Sequence, residues 1–511
     1  MDKHLSEKAK EMLNNKETKV FNHPKSLKKR LFKGEKKVTI VTAAYNAEQH
    51  IKKCVSSVIN QTLSFDKIEF IIIDDHSSDN TAEILVDYSK KYSNITVVLL
   101  EENTGAAAMP RNVGIELATT DKILFLDSDD WLAEDGIKKL VETMDGNNDD
   151  FVTGRTIKVD DSSKSIHAEF MSYKNRYHMS PFDIPYLLYY MGPQSKLIKT
   201  KILKENDIRF PEMKFGEDKH FLLRVLTHCN FASTIKDTVC YLNRMNENNA
   251  SLTKTTDVLY KREADMKILK TIYDMELPTN IEREIMKRLV EYDLIKACDS
   301  FVFVRSDNKE GFIKYIREAL NILKDRPYNI IESFDTPLYQ VAAKLVLQGK
   351  EQDFIDLFKW YKLERNKHIV IKDGQAYYDV YSFDQDHIYK LIPIKLFVRA
   401  NDSYVENNYY VQNFEIYGDE ISEVEHVLIR DRNNTDNELT VPVKITGNKG
   451  EFRVSYEDLN TLTNSLFSVF IRYNGHHLVN IKRINENSIT YKKRNFQFYT
   501  TKAGNIGFSL K

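Results

Sequence analysis

Three groups of carboxylates punctuate the first half of the chain, each beside an apolar run. Asp74 and Asp75 close the run at 68–73, and Asp127, Asp129 and Asp130 close the run at 123–126. Glu217 and Asp218 precede an amphipathic stretch through Phe221, Val225 and Leu226. Short runs of Ile, Leu and Phe bounded by charge read as strands buried on both faces. Carboxylates at such an edge are costly to place without a cation, and the carboxyl edge of an open parallel sheet is where ligands bind. Asp127 and Asp129 are two apart, so on extended chain both side chains point the same way. Oxygen donors of this kind suit a hard divalent ion that also holds phosphate oxygens. Each group also has an ordinary reading. Asp-x-Asp fits a helix-capping loop, Asp74-Asp75 fits a turn, and Glu217-Asp218 fits the first turn of a helix, where the dipole favours negative charge. Two acidic strand ends in one half-sheet favour a ligand site over coincidence.

The elements that must position these residues alternate. Strands are predicted at 38–42, 68–73, 95–100 and 123–126. Between them, Ile51, Val55 and Val58 mark one helix, Ile84 and Leu85 another, and a third begins at Asn112. Ser78 or Asp79 is the expected cap of the second. Strands and helices joined by short connections predict a parallel sheet with right-handed crossovers. The pattern is that of a nucleotide-binding sheet, yet it lacks Gly-x-Gly-x-x-Gly and a phosphate-loop lysine motif. The carboxylates stand in their place. One after the second strand can accept hydrogen bonds from a base or sugar, and the pair after the fourth can bind ribose and a metal-held diphosphate.

Four segments in order, 38–45, 71–81, 109–115 and 125–130, resemble the successive motifs of family 2 glycosyltransferases of the GT-A fold. The resemblance covers about residues 36 to 255. It implies that Ala43 and Tyr45 line the nucleotide, with Tyr45 stacked on uracil and Asp75 on the N–H edge of the base. By the same resemblance, Asn103 and Arg111 line the nucleotide, Asp127 and Ser128 sit near ribose or sugar, and Asp129 holds Mn2+ or Mg2+. Asp218 would be the catalytic base of an inverting enzyme, with Glu217 beside it on the acceptor side. Arg244 and Ser251, in the polar loop after a strand at 238–242, would contact the donor diphosphate, or else belong to a solvated surface loop. Ala43-Ala-Tyr-Asn46 departs from the Pro-x-Tyr-Asn of many relatives, which bears on backbone rigidity there.

Farther along, residues 257–364 carry apolar stripes at spacings of 3 and 4, such as Ile281, Ile285, Leu289 and Tyr292, and read as a helical linker domain. Residues 365–511 read as seven or more short strands, opening with a hairpin turned at Asp373-Gly374. The expected fold is therefore a GT-A catalytic domain (37–256), the helical linker and a C-terminal immunoglobulin-like β-sandwich. Exposed Tyr404, Tyr409 and Tyr410 would stack on sugars, fill the sandwich core or form a subunit interface. This arrangement resembles the wall teichoic acid glycosyltransferases of Gram-positive bacteria. It implies a UDP-sugar donor, N-acetylglucosamine first, an anionic polyol-phosphate polymer as acceptor, and a homotrimer formed through the C-terminal region. Glucose or N-acetylgalactosamine transfer to a teichoic acid or capsular polymer is the alternative within the class. A catalytically inactive carbohydrate-binding scaffold is the alternative outside it.

Composition narrows the setting. The chain has 511 residues, a net charge of −1 and 42% hydrophobic residues, so two or three cored domains are expected and nucleic acid is not an expected partner. Its four cysteines lack metal-binding spacing and fit reduced cytosolic thiols. The absence of an apolar run near the roughly 20 residues of a membrane span adds to a cytoplasmic expectation. Residues 1–36 form a basic extension. Through Lys37 there are 12 Lys/Arg against 5 Asp/Glu, a net of +7. It reads either as a solvated, partly helical lead-in or as a peripheral contact with the inner face of an anionic membrane, centred on residues 25–33.

Overall fold

The computed structural model describes residues 3–22, 36–245, 256–482, 487–491 and 494–511. Two compact units emerge, Met1–Ala264 and Asp265–Lys511, and the division falls inside the helix Val258–Tyr273. The segments expected to form a helical linker and a β-sandwich thus belong to one unit.

The first unit is built on a mixed sheet of β1 (Lys19–Phe21), β2 (Val38–Ala44), β3 (Ile68–Asp74), β4 (Ile95–Leu99), β5 (Lys122–Phe125), β6 (Trp131–Leu132), β7 (Phe151–Val159), β8 (Lys164–His167), β9 (Arg176–Met179), β10 (Lys196–Lys199) and β11 (Ala232–Asn243). The main order is β1-β4-β3-β2-β5-β10-β7-β11-β6. Strands β2 to β5 are the expected parallel half, and all seven residues of β3 are buried. Helix α2 (Ile51–Ile59) packs Ile51, Val55 and Val58 into the core with Ile40, Phe70 and Ile72. Helix α3 (Thr81–Lys91) follows β3. Asp79 does assist its start, its carboxylate accepting the Thr81 N–H at 3.0 Å.

Past β5 the sheet becomes mixed. Strand β10 runs antiparallel between β5 and β7. A parallel neighbour needs a crossover connection, whereas β10 arrives from the long excursion that holds β8 and β9. Helix α5 (Gly136–Asn147) covers this half with Ile137, Leu140, Val141 and Met144.

The basic extension is no solvated lead-in where it is described. Helix α1 (Lys3–Asn14) buries Leu5 and Ala9 and packs against α4 (Ala108–Leu117). Strand β1 adds to the sheet edge, Lys19 opposite Leu99. Because α1 covers it, α4 is buried from Ala108 through Ile115, Arg111 included. Residues 25–33, the proposed membrane contact, lie outside the described residues.

The second unit begins helical, with Thr279–Lys287, Lys309–Leu323, Pro337–Leu347 and Glu351–Leu363 as its main helices. A small sheet follows, Ile369–Lys372, Gln375–Asp379 and Leu391–Ile394, with the predicted hairpin turn at Asp373-Gly374. The larger β region runs from Phe397 to Leu510 around one core that includes Val398, Phe414, Phe452, Val469, Phe498 and Phe508. Four of its strands, His477–Lys482, Asn487–Tyr491, Arg494–Thr500 and Ile506–Leu510, lie beyond the last predicted run. Tyr410 is fully buried and stacks on Phe498 at 3.7 Å, so it is core. Tyr404 and Tyr409 are exposed. Among the described residues no helix is long and apolar enough to cross a membrane.

Candidate active site

Strands β2 and β3 end level, Ala44 beside Asp74, and β5 ends beside Val41 of β2. Their carboxyl ends form the edge where the acidic residues gather. After β5 the backbone does not stay extended. Asp127 to Asp130 is a turn, the Asp130 N–H donating to the Asp127 carbonyl at 3.2 Å. Asp127 and Asp129 are therefore not held parallel by a strand. Each carboxylate of the turn has its own surroundings.

Asp127 faces α4. One of its oxygens accepts Arg111 Nη2 at 2.7 Å, and the other accepts the Gln194 amide. Arg111 Nη1 donates at 2.8 Å to Asp218, at the start of α6 (Glu217–Thr227). The guanidinium thus ties a carboxylate of the β5 turn to one far along the chain, and it is 6% exposed against 28% and 27% for its partners. Gly216, at φ +85°, starts α6 in the left-handed region that glycine adopts without a Cβ penalty, which sets Glu217 and Asp218 on the first turn. Burial pushes the Asp218 carboxyl up to about 7; Arg111 opposes this, while Glu217 and Asp127 add to it. Glu217 is also raised, by burial first. Phe210 and Phe221 stack at 3.7 Å beneath, and Arg111 lies over Phe210 at 5.1 Å. Asn112 fixes that floor, its amide donating to the Phe210 carbonyl (2.9 Å) and accepting the Phe210 N–H (2.8 Å).

The nucleotide-side residues form a second group on the same edge. Asp75 is buried, which raises its pKa against the pull of Thr104. Its two oxygens accept the Thr104 N–H at 3.0 Å and hydroxyl at 3.1 Å. Asn103 donates to the Asp75 carbonyl at 2.9 Å and accepts the Gly105 N–H, so it shapes the loop before α4. Ala43 lies in β2, and Tyr45, just past its end, is 52% exposed, an aromatic face open to a ligand.

Asp130 is a structural member of the turn. It is buried, which pushes its pKa well up, and it accepts the Asn243 N–H at 2.8 Å, pinning the end of β11 to the turn. Arg244 follows, donating to the Asn243 carbonyl at 2.7 Å. Ser251 lies outside the described residues. Asp127 is engaged on both oxygens and Asp130 is buried, while Ser128 and Asp129 are half-buried. Among the described residues no cluster of three or more His, Cys, Asp or Glu is arranged as a metal cage. One carboxylate completed by substrate phosphates is an ordinary arrangement for a hard divalent ion, and Asp129 fits that role.

Sequence reasoning passed over several members. Tyr190 and Gln194 lie just before β10, Gln194 in a turn, and Lys196 is the first residue of β10. Lys196 is fully buried, donates to the Gly192 and Gln194 carbonyls at 2.5 and 3.2 Å, and lies 3.9 Å over the Tyr190 ring. A lysine inside an apolar strand pattern was the available signal. Thr104 and Asn112 gave none, because their partners lie far along the chain.

The sheet, the acidic edge and the carboxylate at the start of α6 define the GT-A-like, nucleotide-sugar class of fold. The family model described as glycosyl transferase family 2 matches residues 39–206. An uncharacterized glycosyltransferase of Haemophilus influenzae is 30% identical over 244 residues, 46% of this chain and 92% of that protein. The chain belongs to glycosyltransferase family 2. A poly(ribitol-phosphate) beta-glucosyltransferase of Bacillus spizizenii is 26% identical over 335 residues, covering 56% of this chain and 51% of its own. The poly(ribitol-phosphate) beta-N-acetylglucosaminyltransferase TarS of Staphylococcus aureus is 29% identical over 213 residues, 40% of this chain and 35% of that one. The chain thus spans about half or less of the length of these two relatives. The crystal structure of S. aureus TarS superposes with a TM-score of 0.57 at 19% identity, over 93% of this chain and 85% of that one. Residues 1–349 of TarS solved with UDP-GlcNAc give 0.57 at 20% identity, over 70% and 99%. At such identities the likeness concerns the fold, and it extends into the C-terminal β region.

Proposed function

We propose that the chain is an inverting, metal-dependent glycosyltransferase that moves a sugar from a UDP-sugar to hydroxyls of a polyol-phosphate polymer such as wall teichoic acid. The observation that carries this reading is Arg111, which couples the carboxylate of the β5 turn to Asp218. A base must lie within hydrogen-bond reach of the acceptor and ionise near working pH. Asp218 is partly exposed, buried enough to be pushed up, and kept from rising farther by a guanidinium. An acceptor hydroxyl gives its proton to Asp218 as its oxygen bonds to the anomeric carbon. The bond from that carbon to the diphosphate breaks, and its electron pair leaves with UDP. Attack opposite the leaving group inverts the centre. Arg111 keeps Asp218 oriented, Tyr45 and Asp75 hold the uracil, and Arg244 and Ser251 attend the diphosphate. A divalent ion on Asp129, when bound, offsets the charge developing on that diphosphate.

N-acetylglucosamine is the first choice of sugar, and a relative named for that transfer supports it. Glucose is the second reading, favoured because the beta-glucosyltransferase aligns over more of this chain. The test is a donor screen of UDP-GlcNAc, UDP-Glc and UDP-GalNAc against poly(ribitol phosphate) and poly(glycerol phosphate), with Mn2+ and with chelator. Metal-dependent UDP release with one pair supports the proposal; no turnover with any pair defeats it.

The remaining assignments belong to the same proposal: an immunoglobulin-like C-terminal sandwich, trimer formation through it, and a cytoplasmic enzyme touching the membrane through residues 1–36. Truncation before residue 365 followed by light-scattering mass is the check on assembly. An unchanged mass removes that role.

A further inference from the structure

Gln194 reaches the site from a turn that supplies none of the residues described so far as reacting groups. Its amide has only one orientation that satisfies both neighbours. Asp127 offers an acceptor and so takes the Nε2 end, which leaves Oε1 for the Tyr190 hydroxyl at 3.1 Å. The turn that carries it is fixed from beneath, by the Lys196 ammonium on the carbonyls of Gly192 and Gln194. Space is fixed as well. A Cβ on Gly192 would stand 2.5 Å from Gln194 Oε1 and 3.1 Å from the Tyr190 ring. Tyr190, Gln194 and Lys196 are all buried. A buried amide, clamped at both ends and aimed at the carboxylate that Arg111 holds on its other oxygen, is a device for orientation.

We propose that Gln194 is a positioning residue for transfer: with Arg111 it locks the Asp127 carboxylate, and through Arg111 the base Asp218, in the orientation that the donor sugar and acceptor meet. This rests on the reading of Asp218 as base, although one arm of its test does not.

Gln194→Glu keeps the shape and replaces the amide with a second carboxylate against Asp127. The charge on Asp127 is already felt by Arg111 on α4 and by Glu217 and Asp218 on α6. Asp130 in its own turn, Tyr190, Cys54 on α2 and Cys240 on β11 feel it too. Of the two basic groups nearby, Arg111 is divided between two carboxylates, and Lys196, whose pKa burial lowers to about 7, is engaged by two carbonyls. The introduced carboxylate meets Asp127 where the amide had donated, so a hydrogen bond is replaced by repulsion between like charges.

The experiment uses the full chain. Thermal midpoints of wild type and Gln194→Glu are compared at neutral pH, with a lower midpoint expected for the variant. Transfer is then measured with the donor and polymer pair that the wild type accepts. Gln194→Glu should lose activity, because the carboxylate it introduces cannot donate to Asp127. The near-isosteric Gln194→Met should lose about 10- to 100-fold in kcat at every pH, the worth of one hydrogen bond to a charged group, with UDP binding unchanged. A Gln194→Glu midpoint equal to wild type overturns the proposal, and so does a Gln194→Met enzyme with wild-type kcat. If wild type turns over no sugar nucleotide, the functional reading fails while the midpoints still decide whether the clamp exists.

Discussion

Both units bury charge, and only one of them turns it into a site. In the second unit, Glu282 accepts the Tyr328 hydroxyl at 2.6 Å and pairs with Arg326 at 2.9 Å. Glu291 takes the backbone N–H groups of Asp335 and Thr336 at 2.9 and 2.8 Å. These carboxylates join helix to loop, and Glu282 is 5% exposed. In the first unit the cation is the buried member, Arg111, and the carboxylates it holds keep over a quarter of their surface. A buried carboxylate with its partners around it is a brace. A buried cation that leaves two carboxylates partly exposed leaves lone pairs open to a ligand, as a site requires.

Variants that exchange these roles break or sharpen the contrast. Asp218→Asn should lower kcat by about 10²- to 10⁴-fold, the usual worth of a positioned base, with the thermal midpoint held and UDP affinity unchanged by calorimetry. Arg111→Met should do more structural harm, on the order of 3 kcal/mol, because it strands two partly buried carboxylates. Denaturant unfolding reads that loss. In its folded fraction the acid limb of the rate profile should shift to higher pH, since Arg111 holds the Asp218 pKa down. Glu282→Gln in the second unit should cost about 1–2 kcal/mol and leave kcat/KM within experimental error. A change in kcat/KM there would erase the distinction between brace and site. Asn112→Ala, which removes the two bonds to Phe210, should cost a similar amount, about 1–2 kcal/mol. Its signature would be a modest fall in kcat as the floor under Arg111 loosens.

How much of this was legible follows from what local sequence encodes. The run into Asp74-Asp75 and the run into Asp127 announce buried strands with acidic ends, because apolar periodicity and an abrupt charge are local facts. Glu217-Asp218 was legible locally only as the first turn of an amphipathic helix; the role of base for Asp218 came from the family resemblance. What Asp127 touches was not, since Gln194 and Arg111 come from different elements and meet only once β10 inserts between β5 and β7. That insertion was hidden too. A strand's direction depends on the path of the chain between strands, and the excursion through 160–195 carries no periodic signal. The basic extension misled for a related reason. Net charge dominates its composition, yet Leu5, Ala9 and the three residues of β1 are enough to dock it. Among the aromatics offered as sugar platforms, Tyr410 and its exposed neighbour Tyr409 differ by one residue, and alternation along one strand separates them.

The central claim is that Asp218 is the base and that its environment sets the pH of the reaction. The rate of sugar transfer under single turnover, followed from pH 5 to 9 in wild type and in Asp218→Asn, tests it most directly. Burial raises this carboxyl to about 7. Below that pH it is protonated and cannot accept the acceptor's proton, so the wild-type rate should climb tenfold per pH unit and level off above about 7. In Asp218→Asn that limb should vanish and leave a low, flat residual rate. A limb of the same position and slope in Asp218→Asn would contradict the account and place the base elsewhere.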